Sequence, residues 1–244
     1  MIYIILIVTY LAVILSSQLR SKINSIKMET KKIFVINGGQ VFGHSGGRFN
    51  KTIFDTTRQF FNDKEGFEIR STDINDDYDP KQEVENYVWA DIVIYHTPIW
   101  WFQVPNGLKK YIDVVFTEGH QTGIYHSDGR SSQNPTINYG TGGMLHGKKY
   151  MVTSSWNAPK EAFTLPGEFF NETSVDDGAL FGFHRMNAFT GMKPLPGLHF
   201  HDVEKNANIV ADLERYTTHL NNIFINKEHE HLSNSNFQSE ATTH

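Results

Sequence analysis

Residues 91–105 read DIVIYHTPIWWFQVP. The first seven, DIVIYHT, form an apolar run too short for a helix and without polar alternation. Such a run predicts a strand covered on both faces, as in the middle of a parallel sheet. The chain then meets Pro98 and Pro105, which stiffen the loop that they bracket. Between them stand Ile99, Trp100, Trp101 and Phe102. Aromatic side chains at a strand end ask for a partner: a flat ligand, the core or a second subunit. Adjacent aromatics cannot all face one ligand, so the loop is expected to divide them.

Outward from this strand, helical and extended patterns alternate. KKIFVING (31–38) predicts a first strand, FEIRSTDI (67–74) a second, KKYMVTSSW (148–156) a fourth and GLHFHDV (197–203) a fifth. Helical spacing is expected over 50–62, 81–89 and 106–116. A last helix is expected over 206–224, with Leu213, Tyr216, Leu220 and Ile223 on one face. Residues 117–147 carry few periodic signals. Strands alternating with helices specify an α/β protein with a parallel sheet. Five strands fit a flavodoxin-like three-layer sandwich of order 2-1-3-4-5.

The chain has 244 residues, enough for one domain with extensions. Its formal net charge of -5 gives no basic excess to attract nucleic acid. It contains no cysteine, which removes disulfides, thiolate metal sites and cysteine nucleophiles together and suits the cytoplasm. Residues 1–27 begin with a nearly continuous apolar run, 2–15, shorter than a membrane span. Either this extension is a membrane anchor, or it is an upstream stretch and Met28 is the natural start. As an anchor, with Arg20, Lys22 and Lys27 on its flank, it would leave the main domain in the cytoplasm. Residues 28–226 are expected to form the cofactor-binding domain, and the polar segment 227–244 a disordered tail.

In such a sheet, ligands bind beyond the carboxyl ends of the strands, at the switch point. Three loops lie there. The first, NGGQVFGHSGGRFNKT (37–52), is glycine-rich and opens a helix, so it can offer backbone N–H groups and a helix dipole to an anion. Ser45, Asn50 and Arg48 add side-chain donors. Neither G-x-G-x-x-G nor G-K-[ST] is present. The alternatives are a flexible connection and a phosphate seat, and the second is preferred. The next loop holds the Trp-Trp-Phe run. The third, SSWNAP (154–159), again places an aromatic and an amide after a strand. Three such loops suit a flavin, with one for phosphate and two flanking the ring. A flavin carries its own redox chemistry and asks for no catalytic acid or metal from the protein. His199 and His201 share a strand face, and DINDDYD (73–79) is acidic. Neither has the pattern of a metal site, and no metal is expected.

Seven segments together resemble the modulator of drug activity B family, flavin-dependent NADPH:quinone reductases related to DT-diaphorase. They are HSGGRFN, VENYVWADIVIYHTPIWWFQVP, KKYIDVVFTEGH, YHSDGR, YGTGGMLHGKKYM, WNAPKEAF and GMKPLPG, in order over residues 31–224. The resemblance implies bound FAD, NADPH as co-substrate, a quinone acceptor and a homodimer with the active site at the subunit boundary. It assigns Ser45, Gly46, Gly47, Arg48, Phe49, Asn50, Lys51 and Thr52 to the phosphates and the ribityl-to-adenine portion of FAD. Ile99, Trp100, Trp101 and Phe102, with Ser155, Trp156, Asn157 and Ala158, would line the isoalloxazine. Tyr139 would be a further FAD contact. The family has glycine where Ile99 stands, so substrate preference is expected to differ in detail.

The reaction implied is two-electron, ping-pong reduction of quinones. Tyr139 or His120 is the expected proton donor to the quinone oxygen, with a structural His120 as the alternative. Two rival activities remain open: reduction of azo or nitro compounds on the same cofactor, and a non-enzymatic flavodoxin-type electron carrier or regulatory flavoprotein.

Overall fold

The structure is a computed structural model and describes residues 30–43 and 45–226. The expected N-terminal extension and C-terminal tail, and His44 of the first loop, lie outside the described residues.

The sheet is wholly parallel and has the expected order. Strands β1 (Lys31–Asn37), β2 (Phe67–Asp73), β3 (Ile92–Pro98) and β4 (Lys149–Ser155) stand as β2-β1-β3-β4. The fifth position differs from expectation. It is shared by two short segments, β5 (Lys193–Pro194) and β6 (Leu198–Phe200), both paired with β4. The intervening sequence Leu195-Pro196-Gly197 explains the break, since proline brings no N–H to the ladder and is tolerated only at such an edge. Leu195 still donates to the Tyr150 carbonyl at 2.7 Å.

Every residue of β3 is buried, as its apolar run requires, whereas edge strand β2 alternates toward solvent. Helices α1 (Arg48–Asn62), α2 (Pro80–Trp89) and α3 (Asn106–Glu118) follow the first three strands. Asp79 caps α2 by accepting from the Lys81 amide, with Pro80 at the first helical position. After β4 come a one-turn helix α4 (Glu161–Thr164), opening soon after Pro159 as the proline of SSWNAP suggests, and α5 (Phe181–Phe189), which the sequence pattern did not announce. The last helix, α6 (Ile209–Asn221), ends in a π-turn, Asn222–Asn226.

The sheet separates two cores. Phe34, Tyr95, Tyr150 and Trp156 face α2, α3 and α5, while Ile33, Ile94, Met151 and Phe200 face α1 and α6. Among the described residues no helix is long and apolar enough to cross a membrane.

Candidate cofactor site

At the carboxyl end of β1 the Asn37 side chain ties the turn. Its Oδ1 accepts from the Gly39 amide at 3.0 Å and its Nδ2 donates to Asp73 at 2.9 Å. The loop doubles back through paired bonds between Phe42 and Ser45 at 2.9 and 3.0 Å. Gly47 then enters α1 with φ of 66°, a left-handed conformation that costs other residues about 1–2 kcal/mol. A Cβ there would lie 3.0 Å from the Gln40 carbonyl oxygen.

The first turn of α1 has no side-chain cap and no acidic residue. Its leading N–H groups therefore face outward with the positive end of the helix dipole. Arg48 stands beside them, exposed, and makes no ion pair among the described residues. A cleft of about 470 Å³ adjoins this turn, lined by Gln40, Gly46, Gly47, Arg48, Lys51 and Asn75 among others. A free cation, uncapped amides and no carboxylate in the helix's first turn are the donor set that a phosphate requires.

Lys51 is partly engaged by Asp55 at 2.8 Å, and Thr52 bonds back to the Arg48 carbonyl. Phe49 turns away from the cleft and packs its ring 5.1 Å from that of Phe200. Asn50 is buried, and its Nδ2 donates to Ser155 Oγ at 3.0 Å.

The loop after β3 is a tight turn. Trp100 and Gln103 exchange backbone bonds of 2.9 and 3.0 Å, and the two residues between them, Trp101 and Phe102, have φ of 47° and 64°. Large aromatic side chains rarely occupy this region, so the turn holds strain of about 1–3 kcal/mol per residue. Its outcome is that Trp101 is 90% exposed, while Trp100 stacks on Phe42 at 5.2 Å and Phe102 on Phe169 at 5.5 Å. Ile99 is buried, and its amide donates to the Ser155 carbonyl at 3.0 Å, joining this turn to the next loop.

After β4, Trp156 points into the core, 3% exposed, with its indole N–H on Ser154. Its backbone, not its ring, faces the carboxyl edge. Asn157 and Ala158 follow, and neither backbone N–H has an acceptor among the described residues.

The three loops thus converge through Asn50, Ser155 and Ile99 on one rim. They offer an anion seat, an aromatic surface and open amides. That donor set fits a flavin nucleotide: phosphate at the α1 terminus, a planar ring between the other two loops.

A family model described as flavodoxin-like fold matches residues 31–220. NADPH:quinone oxidoreductase MdaB of Haemophilus influenzae is 43% identical over 192 residues, covering 79% of this chain and 98% of that protein. The chain belongs to the modulator of drug activity B family. An uncharacterised protein of Schizosaccharomyces pombe is 45% identical over 193 residues, 79% of this chain and 97% of its own length. Among solved structures, a putative quinone reductase from Klebsiella pneumoniae superposes with a TM-score of 0.59 at 22% identity. It covers 80% of this chain and 85% of its own, a likeness of fold.

The two expected proton donors lie elsewhere in the chain. Helix α3 starts at the carboxyl rim and runs back for 13 residues, about 20 Å, before His120. His120 stacks on Tyr125 at 5.0 Å. Tyr139, 70% exposed, lies under the Arg130 guanidinium at 5.5 Å and beside Phe189 at 5.8 Å, the residue that ends α5. The Thr190 carbonyl there accepts from Leu145, just before β4 begins, so this group sits at the amino end of the sheet. Within this chain neither Tyr139 nor His120 reaches the three loops.

His199 of β6 and His201, one residue past its end, turn to the same side. They line a second cleft of about 400 Å³ with Lys160, Phe163, Glu172 and Ser174 among others. No group of three or more His, Cys, Asp or Glu side chains among the described residues is placed to hold a metal ion.

Proposed function

We propose that this chain is an FAD-dependent NADPH:quinone oxidoreductase acting in the cytoplasm. The observation that carries the proposal is the joining of three loops through Asn50, Ser155 and Ile99 into one rim with an open anion seat and an exposed aromatic turn. The family and the MdaB relative support the choice of reaction.

Bound there, the flavin would supply two-electron hydride chemistry, with NADPH and the quinone using the same place in turn. The protein's own contributions are binding and orientation. The α1 terminus and Arg48 take the phosphates, and Ser45–Thr52 carries the chain of the cofactor toward its adenine. Trp100, Trp101 and Phe102 cover planar surface, and bring acceptor and donor to within about 3.5 Å of the reacting centre. The open N–H groups of Asn157 and Ala158 oppose developing negative charge.

A homodimer belongs to the same proposal. Tyr139 and His120 are solvent-facing on one subunit, and the carboxyl rim exposes Trp101, Phe102 and Phe169. Packing the amino-end surface of one copy over the rim of another would bring the partner's Tyr139 to the cofactor and shelter those rings. The Tyr139 hydroxyl, or His120, then donates the proton to the quinone oxygen.

The test starts from purified full-length protein. A yellow product releasing FAD rather than FMN on denaturation, with rapid NADPH oxidation when a benzoquinone is added, is the expected result. Colourless protein that takes up neither flavin would end the proposal. Comparing kcat/KM for quinone, azo-dye and nitro-aromatic acceptors decides the substrate class.

A further inference from the structure

The segment between β4 and β6 buries a polar chain that the cofactor loops leave unused. Along β4, Tyr150 and Ser154 face the α5 side, and Trp156 follows on the same face. Ser154 Oγ accepts the Trp156 indole Nε1–H at 2.8 Å. The Ser154 hydroxyl proton is then directed to His199 Nδ1, 2.7 Å away. An imidazole accepting at Nδ1 holds its proton on Nε2. That Nε2 is buried and lies 3.3 Å from Asp176 Oδ1, an electrostatic contact rather than an aligned hydrogen bond. The other neutral tautomer would set a nitrogen lone pair against a carboxylate.

A second arm reaches the same carboxylate. Tyr150 OH lies 2.6 Å from His184 Nδ1, and His184 Nε2 lies 2.9 Å from Asp176 Oδ1. Burial pushes the Tyr150 phenol up to about 12, so it remains a donor at neutral pH. The hydrogen bond from His184 and the close His199 imidazole hold the Asp176 carboxyl well below the usual carboxylate range. One ionised group therefore anchors two positions of β4.

The anchored indole sits under the rim. The Trp156 ring meets Phe163 at 4.9 Å and Phe170 at 5.9 Å, and Phe170 meets Phe102 of the strained turn at 5.9 Å. The Trp156 amide donates to Phe200, and its carbonyl accepts from Val203. The orientation of this one side chain is thus coupled both to the loop 155–158 and to the aromatic turn.

We propose that Asp176, His199 and Ser154 are positioning residues that lock Trp156, and through it hold loop 155–158 in the geometry that the flavin requires. The claim rests on the flavin function proposed above. None of the three is among the residues assigned to the cofactor.

The test uses full-length protein and the variants Ser154→Ala, His199→Phe and His199→Gln. Amide hydrogen exchange at Trp156 and Val203 is read on flavin-free protein, and kcat and KM on flavin-loaded protein. Ser154→Ala and His199→Phe are expected to speed exchange at Trp156 and Val203, whose amides bond across this loop, at least tenfold while leaving β1 and β3 unchanged. Both should lower kcat at least fivefold and leave KM for NADPH within twofold. His199→Gln, which can still accept at Oε1 and donate at Nε2, should restore most of both. Unchanged exchange in Ser154→Ala and His199→Phe would overturn the proposal, as would a His199→Gln variant no better than His199→Phe. Wild-type protein that binds no flavin would refute the functional proposal alone, because the exchange measurement decides the locking of Trp156 without the cofactor.

Discussion

The buried Asn50 amide donates to the Ser155 hydroxyl at 3.0 Å across 105 residues of chain. This bond fastens the first turn of α1 to the end of β4, so the anion seat and the ring loop move as one. Asn50→Ala leaves a buried hydroxyl without its donor and is expected to lower stability by about 1–3 kcal/mol. Flavin release should also quicken. Denaturant unfolding of flavin-free protein checks the first effect, and stopped-flow release the second.

Trp101 combines near-complete exposure with a left-handed backbone. Trp101→Gly should leave the stability of flavin-free protein within about 1 kcal/mol, because relief of strain offsets the added chain entropy of glycine. The same change should weaken flavin retention by about 1–3 kcal/mol if the indole covers the cofactor. Fluorescence titration with FAD measures it, and an unaltered affinity would assign Trp101 to subunit contact alone.

Arg48, which makes no ion pair among the described residues, is proposed to serve the anion seat. Arg48→Ala is expected to reduce FAD affinity by about 1.5–3 kcal/mol, the range of a charge-assisted bond. Lys109, whose ion pair with Asp113 lies on exposed α3, serves as the control, and Lys109→Ala should change nothing. Equal behaviour of the two variants in equilibrium dialysis would remove Arg48 from the site.

His96 is wholly buried between Thr57 Oγ1 at 2.9 Å and Thr153 Oγ1 at 2.7 Å. Burial lowers its pKa from 6.5 to about 3. The unfolded chain therefore binds a proton that the folded chain refuses. Stability attributable to His96 is complete above about pH 6.5 and declines as pH falls toward 3, by at most about 5 kcal/mol. Chemical denaturation from pH 8 to 4 should show that loss in the wild type. A His96→Gln variant should show a shallower slope, the remainder coming from groups such as His201, which burial lowers to about 4.

Tyr139 is solvent-facing within one subunit and is assigned to a partner's site. Tyr139→Phe should leave subunit stability unchanged and lower quinone turnover if its hydroxyl delivers the proton. A solution mass equal to one chain, with turnover undiminished, would refute the shared site.

Local pattern determined much of this protein. The run 91–97 is typical of a strand covered on both faces and forms β3, and the alternation around it led to the observed order β2-β1-β3-β4. The glycine-rich turn before α1 was legible too, since uncapped amides and a nearby arginine are features of consecutive residues. Tertiary structure alone decided the rest. The inward turn of Trp156, the left-handed pair Trp101 and Phe102, and the division of the fifth strand position depend on what packs against them. The pairing of Asp176 with His199, and the distance of His120 and Tyr139 from the rim, depend on where α3 and α5 end. Periodicity records which face of an element is covered, but not by what. That is settled only when segments far apart in the chain compete for the same buried space.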